Sequence, residues 1–254
     1  MLKKRIVPIQ LLLNKRLVKS RQFGDYRDVG NPVQSSGVYN SQTADELILL
    51  NIDNTATDVE ALIEVMAELH KVCFMPLSVG GGIRTLSDVD QLILSGADKV
   101  VLNSICYKTP ELVTTIANKY GTQAVVCMVD VRFDRVTRQY QLFSNAGQTP
   151  HKISLEDHIK RLELAGAGEL VIQSIDNDGM MAGYDVDLIS AAMKCTALPV
   201  LCAGGAGNYE HLRAVIDQTD VSAVVCGSLF NFTDSNPLRA KAFLQNHNIK
   251  FKVV

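Results

Sequence analysis

Along the chain, short unbroken apolar runs alternate with longer stretches in which apolar residues recur every three or four positions. Ile6 to Leu13 is the first such run, and its near-continuous hydrophobicity predicts a strand buried on both faces. A polar segment with Lys15, Arg16, Lys19 and Arg21 follows and reads as a loop. It is either a solvated connection or a lid whose cations meet an anionic substrate. Next come a helix over 32–43, a strand over 46–52 and a helix opening at Thr57-Asp58-Val59-Glu60. There Thr57 or Asp58 supplies the cap, and Leu62, Ile63, Val65, Met66 and Leu69 form the apolar face. The alternation continues as strand 75–79, helix 86–95, strand 98–103, helix 109–119 and strand 124–130. Between Val131 and Ser154, residues 135–143 alternate as a small hairpin would. Helix 155–165, strand 169–174, helix 186–194, strand 198–203, helix 208–217 and strand 222–227 come next. A turn at 229–232 and a helix over 237–246 finish the pattern.

Eight apolar strands, each followed by a helical pattern, predict an α/β fold with a single (β/α)8 TIM barrel spanning 1–254. An open doubly wound sheet is disfavoured, because no Gly-x-Gly-x-x-Gly follows the first strand. Ala44–Asp53 aligns with Ala167–Asp176 at an offset of 123, and Gly81-Gly82 meets Gly204-Gly205 at the same offset. Ser104 meets Ser228 at 124, so the barrel reads as two similar half-barrels, about 1–120 and 121–254. Each half carries a glycine loop after a strand and before a helix, where backbone N–H groups can approach an anion closely. Two such loops facing each other across a barrel imply an elongated substrate with a phosphate at each end.

Composition narrows the picture. Twenty-five Lys and Arg against 27 Asp and Glu give a net charge of −2, so no global field recruits nucleic acid or an anionic membrane. The first apolar stretch is interrupted by Pro8, Gln10 and Asn14 and is too poor for a signal peptide or a membrane span. A cytoplasmic protein is expected. The six cysteines lack metal or disulfide spacing and read as reduced thiols, with Cys127 and Cys226 in the core. The five histidines (His70, His151, His158, His211 and His247) are scattered and read as surface residues, so no metal and no cofactor are expected. The loop 144–150 lies where it can close over a substrate.

Specific motifs sharpen this. Val79-Gly80-Gly81-Gly82-Ile83-Arg84, Gly96-Ala97-Asp98-Lys99-Val100, Gly166-Ala167-Gly168-Glu169, Ser174-Ile175-Asp176-Asn177-Asp178-Gly179, Gly183-Tyr184-Asp185 and Gly204-Gly205-Ala206-Gly207 resemble the cyclase subunit of imidazole glycerol phosphate synthase. The resemblance implies a glutaminase partner at the barrel's amino-terminal face and ammonia passing through the barrel. It also implies a bis-phosphorylated substrate, cleaved and cyclised at the opposite face. On the matching positions it implies catalytic roles for Asp130 and Asp178. Substrate and phosphate contacts would come from Lys19, Gly81, Gly82, Asn103, Ser104, Gly179, Gly204, Gly205, Gly227 and Ser228. An ammonia gate would be formed by Arg5, Glu46, Lys99 and Glu169, with Asp98 facing the glutaminase.

The departures matter as much. The family's first-strand catalytic aspartate falls on Leu11, which cannot transfer a proton. Asn51, Gln173, Met180 and Ala203 also depart from the family pattern, and the 144–150 loop departs from the family's glycine-rich version. Leu11 and Cys73-Phe74-Met75-Pro76-Leu77 look like a paralogue branch tied to surface-sugar modification. There the barrel supplies ammonia to an N-acetyl-sugar amidotransferase that makes acetamidino groups. Three functions follow as expectations: ammonia delivery for sugar amidination, an authentic histidine-pathway cyclase, or a catalytically silent ammonia-conducting scaffold that activates the glutaminase.

Overall fold

The computed structural model describes residues 3–53 and 58–251. Eight parallel strands close into a barrel in the order β1 (Arg5–Leu13), β4 (Leu47–Asn51), β5 (Leu77–Gly80), β6 (Lys99–Leu102), β7 (Val125–Asp134), β10 (Glu169–Ser174), β11 (Val200–Ala203) and β12 (Ala223–Cys226). Closure comes from β12 pairing with β1 and from β7 pairing with β10, for example Leu170 with Cys127. The (β/α)8 expectation is met. Two hairpin extensions leave the barrel at its carboxyl face. β2 (Arg16–Arg21) and β3 (Gly24–Gly30) fold back on β1, and β8 (Gln139–Ser144) and β9 (Thr149–His151) extend β7.

Helices α1 (Pro32–Ser41), α2 (Glu60–Leu69), α3 (Leu86–Leu94), α4 (Ser104–Lys108), α5 (Glu111–Tyr120), α6 (Leu155–Ala165), α7 (Val186–Met193), α8 (Tyr209–Gln218), α9 (Ser228–Phe232) and α10 (Pro237–Gln245) surround the strands. Most start where a side chain satisfies an orphan N–H: Asn31 caps α1, Ser154 α6, Asn208 α8, and Thr85 with Asp88 forms a reciprocal box on α3. Before α2, Asp58 accepts from the Glu60 N–H, while Thr57 lies outside the described residues.

Strand alternation produces two apolar layers. Outward residues such as Ile6, Leu47, Val79 and Cys127 pack under the helices. Inward residues, Val7, Ile48, Val126, Val171 and Ala223 among them, fill the barrel interior. The six thiols are free, and all but Cys195 are buried.

Two expectations need correction. Residues 16–30 are a hairpin, not a loop: Leu17, Val18, Lys19 and Ser20 are buried beneath it, while most of β3 faces solvent. His158 is not a surface residue. It is 0% exposed, and its ring stacks on Tyr107, which stacks in turn on His151. Among the described residues, no helix is long and apolar enough to cross a membrane, and no group of His, Cys, Asp or Glu could hold a metal ion.

Candidate active site

The inward layer of β1, β4, β6, β7 and β12 ends at the carboxyl face in Leu11, Leu50, Val101, Met128 and Val225, which floor a cavity of about 430 Å³. All twelve residues expected to act on substrate line this cavity: Asp130, Asp178, Lys19, Gly81, Gly82, Asn103, Ser104, Gly179, Gly204, Gly205, Gly227 and Ser228.

Two glycine loops hold the walls at opposite sides, and their glycines are there for contact. A Cβ on Gly81 would lie 1.8 Å from the Asn51 carbonyl oxygen, and one on Gly204 would lie 2.5 Å from that of Ser174. Both have φ near +90°, which L side chains rarely adopt. A Cβ on Gly205 would lie 2.0 Å from the Gly183 carbonyl oxygen. Next to each loop a five-residue helix begins. Asn103 precedes α4 with φ −134° and ψ −82°, and Gly227 precedes α9 with φ −112° and ψ −84°. The first N–H groups of such helices have no intrahelical partner and are available to an anion. Lys19 reaches across from β2 to the second of these walls. Its ammonium donates to the Ile9 carbonyl at 2.5 Å and sits over Gly227.

Lys19 is 4% exposed, and burial pulls its amine down to about 8 against the attraction of Asp178. Asp178 is raised by burial, opposed by a hydrogen bond from Ser20 Oγ at 2.8 Å, the Lys19 charge and a bond from Gln173 Nε2 at 3.2 Å. Asp130, 5% exposed, is pushed up to about 7 by burial, with a smaller upward push from Asp178 and a downward pull from the Asn103 amide at 2.7 Å. A carboxyl held there exchanges its proton near neutral pH, as a general acid or base requires. β1 carries no carboxylate and presents the hydrocarbon of Leu11 to the cavity wall.

The hairpin is pinned over this cavity. Gln22 N–H donates to the Asp178 carbonyl at 2.9 Å, and a Cβ on Gly179 would lie 2.0 Å from the Ser20 carbonyl oxygen. Of the four cations read in the polar segment, only Lys19 enters the cavity. Lys15 pairs with Glu64 and Arg16 with Asp28. In the 144–150 loop, Asn145 and Ala146 line the cavity, and the Asn145 N–H donates to Ser104 Oγ at 3.0 Å. Arg84, the last residue of the first glycine motif, also lines it, as do Ser20, Tyr26 and Lys108, which no sequence motif marks. Ser20 is legible only as the neighbour of Lys19, and Tyr26 and Lys108 follow from strand and helix register that a single sequence does not give.

At the opposite end, four charges close a ring. Arg5 donates to Glu46 at 2.8 Å and to Glu169 at 2.8 Å, and Lys99 donates to the same two carboxylates at 3.0 and 2.9 Å. Burial opposes the charge on Glu169, yet Arg5 and Lys99 hold its carboxyl below the usual range. Ser78 Oγ donates to the remaining Glu46 oxygen at 2.6 Å. Asp98 is outside the ring. It is exposed, and its carboxylate accepts from the Leu77 N–H at 2.8 Å.

A family model described as histidine biosynthesis protein matches residues 5–236. The chain belongs to this family. Its relatives there include the imidazole glycerol phosphate synthase subunit HisF of Staphylococcus epidermidis, 38% identical over 231 residues that cover 91% of this chain and 92% of that one. The HisF subunit of Staphylococcus carnosus is 34% identical over 249 residues, 98% of each chain. That of Staphylococcus aureus is 35% identical over 249 residues, 98% of this chain and 99% of the relative.

Proposed function

We propose that this protein is a HisF-type cyclase subunit of a glutamine amidotransferase complex, which takes ammonia from a glutaminase at its amino-terminal face. The ammonia passes the ring of Arg5, Glu46, Lys99 and Glu169 and the apolar interior, and reaches the phosphate-binding cavity. In this reading Asp130 and Asp178 are the remaining polar catalytic groups, with the glycine loops, Lys19, Asn103, Ser104 and Ser228 holding a phosphorylated substrate. The acceptor of the nitrogen is an N-acetyl sugar, amidinated with the help of a separate amidotransferase.

The observation that carries the change of acceptor is Leu11 in the cavity wall: histidine-pathway cyclisation relies on two acid/base groups, and here one is a hydrocarbon. Such a loss costs on the order of two to four decades in rate. A second reading, an authentic histidine-pathway cyclase, is favoured by Asp130, whose proton exchanges near pH 7 without help from position 11. The same account takes the barrel as two similar half-barrels. Its support is that Gly81 and Gly204 meet the carbonyls of Asn51 and Ser174, both pairs separated by 123 residues.

The test is a glutaminase assay on the complex with amide-labelled glutamine. Stimulated ammonia release that survives Asp130→Asn, while nitrogen transfer to acceptor is lost, is the expected result. Nitrogen transfer undiminished in Asp130→Asn contradicts the reading, and stimulation without any transfer by the wild type leaves only a scaffold.

A further inference from the structure

A side-chain amide stands against the Asp178 carboxylate. Gln173 lies on β10, in register with Asp130 on β7 and Ala203 on β11, and it lines the cavity although only 4% of it is exposed. Its Nε2 donates to Asp178 Oδ1 at 3.2 Å and to the Ser174 carbonyl at 3.4 Å. Turned over, the amide would set its oxygen against a carboxylate and a carbonyl, so these two acceptors fix which end is nitrogen. The second glycine loop leaves room for this arrangement: a Cβ on Gly204 would lie 3.0 Å from Gln173 Nε2.

Both Gln173 N–H groups are thereby used, and its carbonyl is left. Among the described residues nothing donates to Gln173 Oε1, and its strand neighbour Ala203 is a hydrocarbon. Nor is this oxygen sealed off, as Asn103 Oδ1 and Asp130 Oδ1 are, so a ligand in the cavity can reach it. Asp178 is already occupied: Ser20 Oγ donates to its Oδ2 at 2.8 Å and Gln173 to its Oδ1. An amide that donates to a carboxylate becomes a stronger acceptor at its own oxygen. Such a recessed acceptor favours a ligand with an N–H at that point over one with a carbonyl or a hydrocarbon there.

We propose that Gln173 is a specificity-determining residue of the cavity: its Oε1 accepts from a ligand N–H, and the site takes a phosphorylated sugar that carries a secondary amide. This rests on the functional reading above, in which the acceptor is an N-acetyl sugar. The glycine loops hold the phosphate, which any phosphorylated ligand offers, and Gln173 distinguishes an amide from its isosteres.

The experiment uses the full chain with two probes, N-acetylglucosamine 1-phosphate and its ketone isostere, in which a CH2 replaces the amide N–H. Isothermal titration calorimetry gives the ratio of their affinities in each protein. The expected result is at least a tenfold preference of wild type for the amide, the scale of one hydrogen bond to a recessed acceptor. In Gln173→Met and Gln173→Leu the ratio falls below threefold. A second readout needs no variant: the side-chain carbonyl 13C resonance of Gln173 shifts when the amide binds and not when the ketone does. A wild-type ratio below threefold, a preference undiminished in the variants, or wild type that binds neither probe overturns the proposal. Glutamine-driven nitrogen transfer by a barrel with no amide preference overturns this assignment and leaves the functional reading standing; amide preference in a barrel that transfers no nitrogen does the reverse.

Discussion

Asn103 donates its side-chain amide to one Asp130 oxygen across 2.7 Å, and the other oxygen is buried without a hydrogen-bond partner. Asp130 is raised from 3.8 to about 7, so the folded state binds its proton more tightly than the unfolded chain does. The resulting stability is fully present below about pH 4 and is lost as pH rises through 7. Asp130→Asn therefore stabilises at pH 8, by up to about 4 kcal/mol on the scale of 1.36 kcal/mol per pKa unit, and changes little at pH 4. Urea unfolding of both proteins at the two pH values checks this.

The ring at the other end has the opposite sign. Glu169 is held below 4.5, so its contribution is present above that pH and is lost as pH falls through the lower folded value. Glu169→Gln leaves Arg5 and Lys99 with only Glu46 to share. A loss of about 2–3 kcal/mol at pH 7 is expected, as for breaking a largely buried network. The difference from wild type narrows below pH 4.5, which an acid titration of unfolding reads directly.

Neighbouring glycines respond differently to alanine. At Gly81 a Cβ would meet backbone at 1.8 Å, whereas at Gly82 the nearest atom, the Asp58 carbonyl oxygen, is 3.2 Å away. Gly82→Ala costs about 1–2 kcal/mol, the strain of its positive φ. Gly81→Ala must move β4 or the loop and costs more than about 3 kcal/mol. Thermal melts of the two variants separate them.

Lys19→Met tests the anion wall. With the buried ammonium over Gly227 gone, stabilisation by inorganic phosphate falls at least tenfold in apparent affinity, on the scale of a charge-assisted hydrogen bond.

Sequence patterning carries the barrel because each barrel strand is a nearly continuous apolar run and most helices begin at a polar cap such as Asn31, Thr85 or Ser154. The β2–β3 hairpin is illegible in the sequence because β3 exposes most of its side chains and is held through its register with β2. The short helices α4 and α9 are under two turns, too brief for a period to emerge. His158 was misread because its burial comes from a tertiary stack with Tyr107, not from any local spacing. In the site, the glycine loops announce themselves, whereas Ser20 reaches Asp178 over 158 positions of chain. The free oxygens of Asn103 and Asp130 exist only once β6 and β7 are side by side.

The proposed change of acceptor hangs on position 11, in register with Leu50 and in the cavity wall. The direct measurement supplies the bis-phosphorylated histidine-pathway intermediate and excess ammonium to wild type and to Leu11→Asp, and follows loss of the intermediate's absorbance. The expected result is no measurable turnover by wild type and a gain of at least a hundredfold in Leu11→Asp, the scale of one restored acid/base group. Wild-type turnover within tenfold of an ordinary HisF cyclase would contradict the account and give the acid/base work to Asp130 without a partner on β1.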